Sequence, residues 1–530
     1  MTNKQRIWWQ DGAIYQIYPR SFQDSNGDGI GDLPGILSRL DYLATLGIDA
    51  IWISPFYPSP MADFGYDVVD YCNVDPIFGN LADFDRLIAA AHTRGLKLIL
   101  DFIPNHSSDQ HPWFLESQSS RSNPKRDWYL WRDPAPGGAP PNNWTSHFGG
   151  SAWTLDGQTN QYYFHSFLPQ QPDLNWRNPE VRTAIYNAMR FWLDRGADGF
   201  RMDVLWLLIK DDQFRDNPPK PEWGGALLPL YTADRPETHQ IVEEMHTVMA
   251  AYPERVLIGE IYLPLRDLIA YYGFDPNTAD LRGADMPFNF HLIQTPWNAD
   301  SIAELIRNYE AALPRNAWPN WVLGNHDQAR LATRIGEHQT RVAAMLLLTL
   351  RGTPTLYNGD ELGMINGTIA TDEIQDPAEK QQPGRGMGRD PERTPMLWDR
   401  SPGAGFTIGE PWLPPNIGYA ETCVEAQSEA PRSMLALYRR LLDRRRKYPA
   451  LHAGTVDNIN ADSGVLSYRR HGNNEHLQIF LNLTDELQIV PVEAGQVLIT
   501  TILDGDGGQV AGKLILEAGE GLVIKLTEQP

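Results

Sequence analysis

Four stretches of this chain share one pattern: an amphipathic helix, a tight turn, a short apolar strand, then a polar or acidic residue. LSRLDYLATLGIDAIWISP, IAAAHTRGLKLILDFIPNH, AMRFWLDRGADGFRMDV and MAAYPERVLIGEI all follow it. A first strand over 13–22 precedes them, and strands over 284–290, 318–326 and 353–357 come after, which makes eight. Helical patterns such as SIAELIRNYEAAL and TRVAAMLLLTL separate most neighbours. Strands alternating with helices indicate a parallel sheet. Eight such units predict an α/β fold, a closed (β/α)8 TIM barrel, with its chemistry at the C-terminal ends of the strands.

Two interruptions and one change of pattern define the domains. The stretch 105–178, between the third strand and its helix, is too long for an ordinary loop. It is rich in Pro, Gly, Asn and Trp and predicts a small inserted domain over the barrel mouth. A second long segment, 362–417, follows the eighth strand. The last barrel helix, 432–447, gives way to GVLSYRR, EHLQIFLNL, QVLITTIL and GLVIKL, short runs that predict an antiparallel β domain. The barrel is thus assigned to 1–104 and 179–450, the inserted domain to 105–178 and the C-terminal domain to 451–530.

Lys and Arg number 45 against 67 Asp and Glu, a net charge of −22 that disfavours nonspecific attraction to nucleic acid or anionic membranes. The two cysteines, Cys72 and Cys423, lie outside any disulfide or zinc pattern. The opening MTNKQRIWWQDG has no apolar h-region, and no window approaches the ~18 apolar residues of a spanning helix. A soluble, cytoplasmic protein is expected, monomeric or a weak homo-oligomer, with no nucleic-acid or membrane partner.

Charge gathers at four strand ends. In Gly199-Phe200-Arg201-Met202-Asp203-Val204, alternate side chains share a face, so Arg201 and Asp203 point one way and Met202 the other. Such a pair is either a buried ion pair closing the strand or a carboxylate kept ionised as a nucleophile. Strand three ends in Asp101 to His106, strand five in Gly259-Glu260, strand seven in Gly324-Asn325-His326-Asp327. Four acids on one rim repel each other unless the site uses them. One ionised and one protonated carboxyl, ~5 to 5.5 Å apart in a retaining enzyme, is what glycoside hydrolysis requires. His106 and His326, at the same level, are candidate donors to sugar hydroxyls.

DFIPNH, GFRMDV, GEIY and GNHD, in that order, resemble the four signature regions of the α-amylase family of glycoside hydrolases, and the resemblance spans the chain. It implies that Asp203 is the nucleophile, Glu260 the acid/base, and Asp327 the group that binds the 2- and 3-hydroxyls of the distorted sugar. Arg201 would orient and ionise Asp203, His106 and His326 would hold hydroxyls, and Asp101 would support the site from behind. The loop Asp63-Phe64-Gly65-Tyr66-Asp67 resembles the one that caps the nonreducing glucose in exo-acting α-glucosidases. There Tyr66 would stack on the ring and Asp63 would pair with Arg389, from the stretch GRDPERTPM. An exposed pair of this kind is worth only ~0 to 1 kcal/mol. Gln171-Pro172-Asp173-Leu174-Asn175 looks like the fifth region of the oligo-1,6-glucosidase group, and Phe148 and Gln171 complete the implied substrate-binding set. The implied partners are oligosaccharide or disaccharide α-glucosides, cleaved from a closed pocket with retention of the α-anomer.

Val204, next to the nucleophile, resembles isomaltose-type enzymes, but Leu205-Trp206-Leu207-Leu208-Ile209-Lys210 departs from the usual Asn-containing run. Trp206 is either core or a wall of the acceptor site. Asp24-Ser25-Asn26-Gly27-Asp28-Gly29-Ile30-Gly31-Asp32 spaces oxygen ligands at alternate positions, as in a calcium loop, although Gly35 stands where an EF-hand carries its bidentate Glu. The expected ligands are Asp24, Asn26, Asp28, Ile30 and Asp32, holding structural Ca2+ or Mg2+; the other reading is a plain Asx/Gly turn. No organic cofactor is expected. Two competing functions use the same scaffold: a transglucosylase or isomerase of sucrose, maltose or trehalose, and an endo-acting amylase. A noncatalytic amylase-like binding protein is a third, and it has no need of all three acids.

Overall fold

The computed structural model describes residues 7–220 and 226–527. All eight predicted barrel strands are present, though short: β1 (Ile14–Ile17), β2 (Ala50–Ile53), β3 (Lys97–Phe102), β7 (Gly199–Met202), β8 (Val256–Gly259), β9 (Met286–Pro287), β10 (Asn320–Val322) and β11 (Thr353–Tyr357). Neighbours pair in parallel, in the order β10, β11, β1, β2, β3, β7, β8, β9. Between β9 and β10 the ring is closed by a side chain: Asn320 donates to the Pro287 carbonyl (2.6 Å) and accepts from Asn289 N–H (2.8 Å).

Strand alternation divides the core. Ile14, Ala50, Trp52, Ile99, Val256, Ile258, Met286 and Val322 pack inside the barrel. Tyr15, Ile51, Leu98, Leu100, Phe200, Met202, Leu257 and Trp321 face the surrounding helices. Asp101, Arg201, Asp203 and Glu260 continue the inward rows beyond the apolar layer, which is why they meet at the C-terminal rim. Gly199 opens β7 where a Cβ would lie 2.4 Å from the Val256 carbonyl oxygen, so only glycine permits this strand spacing.

The inserted domain carries a small antiparallel sheet, order β4 (Trp131–Arg132), β6 (Gln161–Phe164), β5 (Trp153–Asp156). Its core is aromatic, with Trp144, Trp153, Tyr162 and Phe164 in one cluster. Asp173 locks it to the barrel. This buried carboxylate accepts from Asn105 Nδ2 (2.9 Å), from the backbone (2.6 Å) and hydroxyl (2.7 Å) of Ser166, and from Lys210.

The C-terminal domain has six antiparallel strands: β12 (Thr455–Asp462), β13 (Val465–His471), β14 (His476–Asn482), β15 (Gln488–Thr500), β16 (Gln509–Leu516) and β17 (Gly521–Leu526). Four were expected. The two extra ones, β12 and β16, lie at the sheet edges and are largely exposed, so no apolar run announces them. The domain docks on the barrel through Tyr468 Oη, 2.6 Å from Thr349 Oγ1, and through Arg307, which donates to the Ile459 carbonyl (2.8 Å). Cys72 and Cys423 are unpaired. No helix among the described residues is long and apolar enough to cross a membrane.

Candidate active site

The register of β3 against β7 sets Asp101 beside Arg201 at the barrel rim. Arg201 is fully buried and holds three carboxylates. Its Nη1 lies 2.8 Å from Asp101 Oδ1 and 2.9 Å from Asp203 Oδ1. Its Nη2 lies 2.7 Å from Glu260 Oε2, an ion pair without hydrogen-bond alignment. Trp52 packs its ring 5.1 Å from the guanidinium carbon and donates from Nε1 to Asp101 Oδ2 (3.2 Å). Burial works against the charge of Arg201, but Asp101, Glu260, Tyr66 and Asp203 outweigh it and raise its pKa.

Immediately after Asp203 the chain turns sharply. Val204 adopts φ 38° and ψ 45°, a left-handed conformation that a β-branched residue rarely takes. This turn sends its N–H to Glu260 Oε2 (2.9 Å). The strained backbone thus ties the residue after one carboxylate to the other.

Arg201 pulls the pKa of Asp203 down, as expected, but against opposition. One cation serves three acids, and burial together with the facing Glu260 pushes Asp203 well above the usual carboxylate range. Burial likewise pushes Asp101 up to about 7, against the pull of Arg201. These carboxyls titrate together, so a proton held among them belongs to the coupled group as a whole.

Asp327 is the opposite case. Burial would raise it, but His326 and the guanidinium groups of Arg389, Arg393 and Arg201 hold it well below its ordinary value. Arg393 Nη2 lies 2.7 Å and Arg389 Nη1 3.2 Å from Asp327 Oδ1. Arg389 also reaches Asp63 Oδ1 (2.7 Å) and Asp376 Oδ2 (2.7 Å). The Asp63–Arg389 pair is thus no exposed rim bridge: the side chains are 5% and 13% accessible. Gln171 Nε2 donates to Asp63 Oδ2 (3.3 Å) and lies 3.2 Å from His106 Nε2.

Tyr66 and His326 stack with ring centroids 5.5 Å apart, and Tyr18 covers the other face of His326 at 5.6 Å. Tyr66 Oη lies 2.6 Å from His326 Nε2 and 3.2 Å from Asp101 Oδ2. Gln16 Nε2 lies 2.7 Å from His326 Nδ1. Both nitrogens of His326 are therefore occupied, and it acts on the cavity through Tyr66. Burial keeps His326 well below its usual pKa and pushes His106 down to about 4, so His106 is neutral at pH 7.

These groups surround a cavity of about 610 Å3. Asp63, Tyr66, His106, Phe148, Gln171, Asp203, Val204, Glu260, Asp327 and Arg389 line it, while Arg201 and Asp101 lie beneath. Four contributors escaped the sequence reading. Arg393 and Asp376 orient Asp327 and Arg389; His147 adds to the wall; Glu392, also on the wall, is a buried carboxyl pushed up to about 7 by burial. GRDPERTPM already contained Arg393 and Glu392, but the segment after β11 has no periodicity to say which charges turn inward.

In the first loop, Asp24 accepts from the N–H groups of Asn26 (2.9 Å), Gly27 (2.8 Å) and Gly29 (2.9 Å) and from the Thr407 hydroxyl (2.5 Å). Asp28 accepts from Ile30 N–H (2.9 Å) and Asn26 Nδ2 (3.0 Å). Asp32 caps the helix Leu33–Ser38 through Gly35 N–H (2.6 Å) and accepts from Ser25 Oγ (2.8 Å). Among the described residues no three His, Cys, Asp or Glu side chains converge as a metal-binding group. The remaining expected ligands are the Asn26 amide and Ile30 carbonyl, so the donors are all oxygen, as a hard cation requires.

A barrel whose rim holds three acids around one sugar-sized cavity belongs to the class of carboxylate-dependent glycoside hydrolases. Residues 16–454 match the model of the α-amylase catalytic domain. The chain is 42% identical over 525 residues to a probable α-glucosidase of Rhizobium meliloti, covering 94% of this chain and 95% of the relative. It is 38% identical to an oligo-1,6-glucosidase of Parageobacillus thermoglucosidasius, covering 92% of each. A crystal structure of an α-glucosyl transfer enzyme superposes with a TM-score of 0.92 at 40% identity, over 99% of this chain and 100% of that one. The chain belongs to the α-amylase family of glycoside hydrolases.

Proposed function

We propose that the protein is a retaining, exo-acting α-glucosidase that releases α-glucose from the nonreducing end of short α-1,6- and α-1,4-glucosides. The observation that carries this is the shared guanidinium: Asp203 and Glu260 both lie within 2.9 Å of Arg201. Sharing one cation supports the short carboxyl separation of a retaining pair over the ~6.5–9.5 Å an inverting enzyme needs for its intervening water. Glu260, acting as the acid, delivers a proton to the leaving oxygen while Asp203, acting as the carboxylate, attacks C1, giving a glucosyl ester and a free aglycone. Glu260 then takes a proton from water, whose oxygen displaces Asp203 from C1. Asp327, held ionised, accepts from hydroxyls of the distorted ring and favours the positive charge developing at C1.

Exo action rests on the buried Asp63–Arg389 pair, which with Gln171 and Tyr66 closes one end of the cavity. A chain interior cannot thread past it. A structural Ca2+ or Mg2+ belongs to the same reading: Asp24, Asn26, Asp28, Asp32 and the Ile30 carbonyl would hold it if the three carboxylates turned from their present N–H and hydroxyl donors, and it would neutralise the acidic loop.

A time course of products from isomaltose, maltose, trehalose and sucrose, with Asp203→Asn as blank, tests the reading. Glucose that appears first as the α-anomer, and none from the blank, is the expected result. β-Glucose first, or oligosaccharides released from soluble starch ahead of glucose, overturns it. The likeness to an α-glucosyl transfer enzyme favours one second reading, a transglucosylase using the same ester. Rearranged or longer sugars as main products would establish it.

A further inference from the structure

The outer face of the C-terminal sheet brings two histidines together at one hairpin. Along β13, Tyr468 and Arg470 turn to the barrel, where both meet Thr349. Alternation therefore puts Arg469 and His471 on the opposite, solvent-facing side. His471 ends β13 and His476 opens β14, on either side of the turn 472–475, and the strand register sets them directly opposite each other. On the neighbouring strand β12, Thr455 pairs with His471, and Asp457, two residues on, shares its face.

The two imidazoles meet at an angle of 65°, centroids 5.0 Å apart, with Nδ1 of one 2.7 Å from Nδ1 of the other. His471 Nε2 lies 2.7 Å from Asp457 Oδ1. A carboxylate only accepts, so Nε2 of His471 carries the proton and its Nδ1 presents a lone pair to the Nδ1–H of His476. That shared proton occupies the position a metal ion takes between two imidazoles. With metal–nitrogen bonds of ~2.0–2.1 Å, two nitrogens on one ion lie ~2.9–3.4 Å apart at octahedral or tetrahedral angles, so the pair has only to open by ~0.2–0.7 Å. Asp457 behind His471 supplies the carboxylate that fixes the tautomer of a ligating histidine and raises its basicity. Arg469, the cation on the same face, is paired with Glu493, which offsets its repulsion of an incoming ion.

We propose that His471 and His476 bind a divalent transition-metal ion of the Zn2+, Ni2+ or Cu2+ class, with Asp457 as a positioning residue and water completing the coordination shell. On binding, the His476 proton leaves Nδ1 for Nε2 through solvent, since this residue is exposed, and the ion takes both Nδ1 lone pairs. Imidazole nitrogen selects this class of ion, whereas the all-oxygen first loop suits Ca2+ or Mg2+. None of these residues lines the catalytic cavity, so the ion staples β13 to β14 and stabilises the C-terminal domain without entering the reaction.

The experiment uses the full chain, treated with chelator and dialysed into buffer containing Ca2+. It is titrated with Ni2+ by calorimetry and, separately, loaded with one equivalent of Cu2+ for electron paramagnetic resonance. The parent is expected to bind one Ni2+ more than His476→Ala, and its Cu2+ spectrum to show coupling to two nitrogens. His471→Gln is expected to lose the same equivalent, and Ni2+ to raise the melting temperature of the parent but of neither variant. Asp457→Asn should keep the stoichiometry and weaken Ni2+ binding at least about tenfold. The chain has 13 histidines, so equal Ni2+ stoichiometry in the parent and both histidine variants, or a Cu2+ spectrum that neither substitution alters, places the ion elsewhere and overturns the site. Unchanged affinity in Asp457→Asn overturns the positioning role.

Discussion

Replacing Arg389 by Ala takes a cation from three carboxylates at once. Arg389 lies 2.7 Å from Asp63, 2.7 Å from Asp376 and 3.2 Å from Asp327, and Asp376 is fully buried. Arg393 remains near Asp327 at 2.7 Å but reaches Asp376 only at 3.8 Å. Removing one partner of a buried pair costs ~3–5 kcal/mol because the other charge stays desolvated. Asp63→Asn is the milder cut, since Arg389 keeps two carboxylates; the lost charge-assisted bond is worth ~1.5–3 kcal/mol. Asp63→Asn removes the acceptor for the terminal glucose, and that same energy lowers kcat/KM on maltose roughly 10- to 150-fold. The two variants are to be compared by thermal unfolding at pH 7 and by kcat/KM on maltose. An Arg389→Ala midpoint no lower than that of Asp63→Asn refutes the buried clamp, because an exposed bridge contributes only ~0–1 kcal/mol.

Three further outcomes are expected. Glu260→Gln should lose ~10²–10⁴-fold in kcat on a disaccharide and much less on an aryl glucoside with a good leaving group; equal losses would remove Glu260 from the acid role. Glu392, pushed up to about 7 from the ordinary 4.5, binds a proton in the folded state that the unfolded chain lacks between those values, so its contribution to stability falls as pH rises through that window. Glu392→Gln should therefore gain on the parent by on the order of 3 kcal/mol from pH 4.5 to above 7, read as the difference in melting temperature; a difference independent of pH contradicts it. Exhaustive chelation should lower the melting temperature with restoration by Ca2+ or Mg2+, and Asp28→Ala should abolish that response; identical melting with and without chelator makes the loop a plain Asx/Gly turn.

The acids at the strand ends were legible because two independent regularities intersect at them. Periodicity located the strand ends, and alternation put Arg201 and Asp203 on the inner face with Met202 against the helices. The edge strands β12 and β16 were not legible, since an exposed edge carries no apolar run. Arg393, Asp376 and Glu392 escaped for a different reason. They come from a loop whose shape is set by what it packs on, so one charged residue there looks like another until the fold aims it.

Sequence alone determined the barrel, the inserted and terminal domains, and which carboxylates face the mouth, because burial periodicity and side-chain alternation are properties of neighbouring residues. Tertiary structure alone decided how charge is shared among them. Whether Asp203 is ionised depends on a guanidinium divided between three acids and on the water excluded around it. Neither is encoded in the residues beside it, since electrostatic energies are set by distance and desolvation in space. The left-handed turn at Val204 and the Asn320 clasp closing the barrel arise in the same way, from contacts between segments far apart in the chain.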